Sequence, residues 1–165
     1  MDQHCLRAML GWLELGNAAE ALVEWQSLSP AGRAHPDTLE VHWFALAECR
    51  DWDAAVPVAE ALVAATPERA SGWLLRAYAL RRSSGGGLPA AFAALEPAAE
   101  KFPGEPTIPY NLACYACQMR RAPEESLAWL HRALERGDRA ALLDMALQDA
   151  DLEPLHPEIA QLVRA

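Results

Sequence analysis

The stretch "NAAEALVEWQSL", from Asn17 to Leu28, returns 34 residues later as "DWDAAVPVAEAL", so that Ala21 meets Ala55 and Leu28 meets Leu62. "LPAAFAALEPAA" (88–99) carries the pattern on, with Ala91 after Ala55 and Pro103 after Pro67. "APEESLAWLHRAL" (122–134) completes it, with Leu130 after Leu95 and Ala133 after Ala98. The two later steps are slightly longer. Their surplus falls in "RRSSGGGLP" and "QMRRAPEE", turn sequences where added residues cost little closure entropy. A period of this length means one supersecondary unit stacked on its neighbours, each burying the face the next leaves open.

Segments of a second type alternate with these: "CLRAMLGWLELG", "TLEVHWFALAECR", "SGWLLRAYALRR" and "IPYNLACYACQMR". Each spaces its apolar residues three and four apart, as Trp73, Ala77 and Leu80 do, which is the helical period. Pro89 and Pro123 sit early in their helices, while Gly16 and Gly85 to Gly87 sit at ends. Nothing alternates with period two over a useful length, so no strands are expected. The pattern predicts antiparallel helix pairs, A then B, four times over. Ala21, Ala55, Ala91 and Ser126 fall where helix B must approach helix A, and a larger side chain there would push the pair apart.

These residues resemble the tetratricopeptide repeat (TPR) family. The likeness rests on Trp12, Gly16, Ala21, Trp25 and Leu28, then on Leu46, Ala55, Leu62 and Pro67. The third repeat adds Trp73, Ala77, Leu80, Ala91, Leu95 and Pro103; in the fourth, "YNLACYACQ" with Ser126, Leu130 and Ala133 is the closest match. The resemblance implies an all-α fold, an α-α superhelix of about four TPR-like hairpins forming a single domain over 1–165, with repeats near 3–34, 37–68, 70–104 and 106–137. A cap over 138–165 follows, and its tail "DADLEPLHPEIAQLVRA" looks like the closing segment of bacterial members. Leu142, Leu143, Met145 and Ala146 are expected to face inward there, with Leu152 and Leu155 as plugs. Arg50 replaces the glycine expected in the second A–B turn, and an extra stretch lies between Leu28 and Asp37. Pro97 inside a helix is expected to kink it, at about 3 kcal/mol if unrelieved. Pro57 is milder if its helix begins at Asp53.

Charge limits the partners. The chain has a net charge of -9, and its positive side chains are arginines apart from Lys101. Nucleic acid and anionic lipid both need basic patches, so neither is expected as a partner. The start "MDQHCLRAMLGWLELG" lacks the basic run and apolar core of a signal peptide, and no apolar stretch is long enough to span a bilayer. Four irregularly spaced cysteines do not form a disulfide framework, and a reducing cytoplasm is the expected setting.

Cys114 and Cys117 pose the sharpest chemical question. Three apart in a helix, they point the same way, but a redox pair needs its first thiolate at a helix N-terminus. A zinc site needs further ligands, for which Cys49, His42 and His131 are the nearest candidates. Packing is the favoured reading, with no metal or cofactor expected. Ser126, beside Glu124 and Glu125, reads as a tight helix contact, and "SSGGGLP" lacks the lysine and strand of a phosphate loop.

The TPR resemblance implies instead a concave groove lined by A helices. The matching positions are Glu40, Phe44 and Glu48, then Leu74, Tyr78, Arg81 and Arg82, then Tyr110, Cys114 and Gln118. The aromatics suit binding hot spots, the two glutamates select positive charge, and the two arginines can clamp a carboxylate or complement a helix end. The lysine and asparagine set with which some members grip a C-terminal carboxylate is absent. The expected function is therefore a non-catalytic adaptor or scaffold holding a protein or peptide. A chaperone for an unfolded or secreted client is the alternative, a cysteine-based redox or metal protein a lesser one, and self-association through an exposed repeat edge a further reading.

Overall fold

A computed structural model describes residues 2–164, with the side chain of Arg164 left aside. Among the described residues there are eleven α-helices, one 3-10 segment and no strand. Two compact units divide the chain, Met1–Gly87 and Leu88–Ala165. The first holds α1 (Asp2–Glu14), α2 (Ala18–Gln26), α3 (Pro30–Ala34), α4 (Pro36–Glu48), α5 (Trp52–Ala65) and α6 (Ala70–Arg82). The second holds α7 (Leu88–Lys101), α8 (Thr107–Gln118), α9 (Pro123–Leu134), α10 (Arg139–Gln148), the 3-10 segment Ala150–Leu155 and α11 (His156–Arg164). The expected third pair thus contributes one helix to each unit. None of the helices is long and apolar enough to cross a membrane.

Three A–B turns close in the same way. Asn17 N–H donates to Trp12 O, Asp51 N–H to Leu46 O and Arg121 N–H to Ala116 O, each five residues back. The residue before each donor is left-handed: Gly16 at φ 72°, Arg50 at 57° and Arg120 at 55°. This is the closure in which glycine is favoured, so both arginines hold a conformation that costs an L-residue about 1–2 kcal/mol. Asn17 and Asp51 then cap α2 and α5, their side chains accepting from Glu20 N and Ala54 N.

The small residues do what their spacing demands. Ala21, Ala55, Ala91 and Ser126 have no exposed surface, and each lies on a B helix where close packing leaves no room for a larger side chain. In the first unit Met9, Val41 and Ala45 pack around Ala21 and Leu28, while Trp43, Leu46 and Ala79 pack around Ala55 and Ala59. In the second, α8 is buried almost throughout, from Ile108 to Cys117.

The structure refines several expectations. The extra stretch after Leu28 is α3, capped by Ser29, whose Oγ accepts from Gly32 N while its own N–H donates to Asp2. α5 begins at Trp52, one residue before the expected start, so Pro57 lies inside it. Pro57 and Pro97 are both exposed, as are Asp53 and Ala93 four residues before them, so the carbonyl each proline cannot serve lies on a face open to solvent, and α5 and α7 continue through. Met145 is 45% exposed, because Leu143 and Ala146 take the buried face of α10.

Candidate partner-binding surface

Glu40, Phe44 and Glu48 are four apart on α4 and form one stripe along it. Glu40 is half-buried, Phe44 46% exposed and Glu48 exposed. On α6, Tyr78 is 42% exposed, Arg82 is exposed, and Leu74 and Arg81 are half-buried.

What positions these side chains is the buried indole of Trp43, 3% exposed. It meets Phe44 edge-on at 5.4 Å between ring centroids and Tyr78 at 5.9 Å. Trp52, at the first turn of α5, completes the cluster at 6.5 Å from Trp43 and 5.7 Å from Tyr78. The Trp43–Phe44, Trp43–Tyr78 and Trp52–Tyr78 pairs hold one another by edge-to-face attraction beyond the area they bury, while Trp43 and Trp52 meet at a tilt of 54°. Over them lies Arg82, its Cζ 3.5 Å from the centre of the Tyr78 ring and 5.4 Å from Trp52. Its Nη1 donates to Tyr78 O at 3.1 Å, which helps hold the guanidinium over the ring.

A cavity of about 640 Å³ opens here, lined by Ala47, Glu48, Arg50, Trp52, Tyr78 and Arg82. The structure therefore brings together Glu48, Tyr78 and Arg82, which sequence reasoning chose, with Arg50 and Trp52, which it did not. Arg81 does not line this cavity, since consecutive helical residues diverge by about 100°. The signal that could have found Arg50 was its place in a glycine position. Trp52 was visible only as the residue after a helix cap.

The fourth-repeat positions sit differently. Tyr110 and Cys114 are buried, and the chain's own C-terminal segment lies against them. Tyr110 OH donates to Asp149 Oδ2 at 3.0 Å, Cys114 Sγ lies 3.6 Å from the same oxygen, and Gln118 Nε2 donates to Asp151 O at 3.0 Å. Leu152 and Leu155, both buried, seat this segment as plugs. Burial, with the thiol of Cys114 and the carboxylates of Asp149 and Asp151 nearby, pushes the Tyr110 phenol far above its ordinary range, so it stays protonated and able to donate to Asp149.

The two α8 cysteines are well inside their helix, the first of them at the eighth position. None of the four cysteines is joined in a disulfide. Burial and the Asp151 carboxylate push the Cys117 thiol up, away from the nucleophilic thiolate. Cys114, Asp149 and Asp151 place one atom each within 4.8 Å of one another. Tyr110 ties that group together, and Asp151 N–H closes back on Asp149 Oδ1 at 2.9 Å, giving a hydrogen-bonded cap. His42 and Cys49 lie in the first unit and outside this group, and His131 is likewise outside it. The glycine-rich loop is a helix terminator: Gly87 N–H returns to Leu80 O at 2.7 Å, and Ser84 N–H donates to Asp53 Oδ1 at 2.7 Å.

Similar architecture occurs in solved structures. MamA 41-end from Desulfovibrio magneticus RS-1 superposes with a TM-score of 0.74 at 18% identity, covering 85% of this chain and 77% of that one. TTC0263, described as a thermophilic TPR protein in Thermus thermophilus, gives 0.67 at 21% identity, covering 93% of this chain and 85% of that one. MamA MSR-1 C2 gives 0.70 at 17% identity over 85% and 79%. No protein-family model matches the sequence, and no curated protein does. At these identities the likeness establishes the fold, which is TPR-like.

Proposed function

We propose that this chain is a non-catalytic interaction module, and that the face built by α4 and α6 in its first unit receives a protein or peptide partner. Phe44 and Tyr78 carry the reading: two large aromatics left nearly half exposed, held rigid by the buried Trp43 beneath them. Exposed aromatics whose rotamers are already fixed lose little entropy on binding, which is why they serve as anchors. Glu40 and Glu48 flank them on α4, Leu74 and Arg81 on α6, and Arg82 lies across Tyr78. The chain is read as one array of four hairpins with a C-terminal cap. In the fourth, Tyr110, Cys114 and Gln118 hold that cap, and a partner reaches them only where it replaces the segment.

The test is affinity of a co-purified partner for wild type and for Phe44→Ala with Tyr78→Ala. Loss of two anchor rings is expected to weaken binding by about 2–4 kcal/mol. Unchanged affinity in a variant with an unchanged helical spectrum removes the groove from the account. An aggregation-prone client kept in solution equally well by both proteins, with no stoichiometric partner, would favour the chaperone reading.

A further inference from the structure

We propose that Arg50 and Arg82, with Trp52 and Tyr78 beneath them, form a binding site for a single carboxylate of the partner. The inference rests on the interaction reading above and names the chemistry that its cavity selects. Arg82 is already held over the Tyr78 ring, with Nη1 donating to the Tyr78 carbonyl, and it lines the cavity with a guanidinium that carries five N–H donors in all. Arg50 enters the same cavity from the turn between α4 and α5. Neither Arg50 nor Glu48 is held in an ion pair among the described residues.

The backbone gives an independent reason. Gly16 fills the corresponding turn of the first hairpin at φ 72°, whereas Arg50 adopts φ 57° at a cost glycine would avoid. That strain is local, and it aims a cation at the cavity. A carboxylate fits better than a larger or more charged anion, because Glu48 lies on the same wall and the whole chain is net negative at -9. The planar oxyanion accepts from two guanidinium forks while an adjoining apolar side chain of the ligand lies on Trp52 and Tyr78. Glu48 is placed to take a neighbouring cation of the ligand.

Calorimetric titration with small probes tests this. Acetyl-Gly-Phe-Gly with a free terminal carboxylate, its C-terminal amide, and amidated acetyl-Phe-Glu-Phe separate a chain terminus from an acidic side chain as the source; inorganic phosphate is the fourth probe. At least one carboxylate probe is expected to bind about tenfold more tightly than the amide. Arg50→Gly is expected to melt at a higher temperature, since glycine suits the turn, yet to lose about tenfold in carboxylate affinity. Arg82→Gln should lose as much, and Arg7→Gln, exposed on α1 and away from the cavity, should retain wild-type affinity. Equal binding of acid and amide overturns the proposal, as does a stabilised Arg50→Gly with undiminished carboxylate affinity, or preference for phosphate. Wild type ignoring every carboxylate probe also overturns it, while partner loss in the Phe44 and Tyr78 variant would still uphold the interaction reading.

Discussion

His42 shows how far a single side chain can differ from its ordinary behaviour. Its ring stacks on Trp25 at 3.7 Å and 16°, and its Nδ1 is buried without a hydrogen-bond partner. Burial, aided by the Arg33 guanidinium, lowers its pKa from 6.5 to about 4. Between those values the unfolded chain binds a proton that the folded chain refuses, so stability is complete above pH 6.5 and falls as pH drops toward 4. Urea midpoints at pH 7 and pH 4.5 should differ less in His42→Phe than in wild type; equal differences would show that this ring does not couple folding to protons. No sequence pattern announced the stack, since Trp25 and His42 lie on different helices and meet only after α2 packs on α4. Phe44 and Tyr78, by contrast, could be chosen from repeat register, being 34 residues apart on equivalent helices. What register could not show was that Arg82 turns onto Tyr78 while Arg81 points elsewhere.

Elements were legible wherever the same constraint recurred. Ala45, Ala79 and Ala113 stand 34 apart with no exposed surface, as Ala21 and Ala55 do, because each marks a close approach that geometry imposes on every hairpin. Ala55→Leu should therefore destabilise the first unit by about 1–3 kcal/mol, read by thermal melting; an unchanged melting temperature would mean the α4–α5 contact is loose. Non-repeating elements were harder to read. The stretch that became α3 looked like a plain insertion, since a five-residue helix carries too little periodicity to register. The C-terminal segment was expected as a cap from its leucines, but its polar bonds to Tyr110 and Gln118 join residues 33–39 apart and leave no local trace. Removing the Leu152 plug is expected to cost about 2–5 kcal/mol and to raise amide exchange in Ala150–Leu155. Retained protection in Leu152→Ala would show that Asp149 and Asp151 hold the segment without it.

For the molecule as a whole, charge and surface chemistry act at different ranges. On the proposed reading, a net charge of -9 would draw in a partner with basic patches over distances set by ionic strength, whereas Arg50, Arg82 and Glu48 would decide orientation only at contact. The association rate with a native partner should accordingly fall as salt rises, while the dissociation rate changes little; a salt-independent association rate would mean that the long-range field plays no part. The TPR-like fold supplies helices that repeat, and the proposed function rests on where this chain breaks the repetition: an arginine in a glycine turn, two unburied rings, and one A helix covered by its own tail. Cross-linking mass spectrometry of the purified complex with its native partner tests this most directly. The account predicts cross-links clustered on α4 and α6 around Glu40, Glu48 and Tyr78. Links confined to the opposite faces, on α2 or α5, with α4 and α6 untouched, would contradict it.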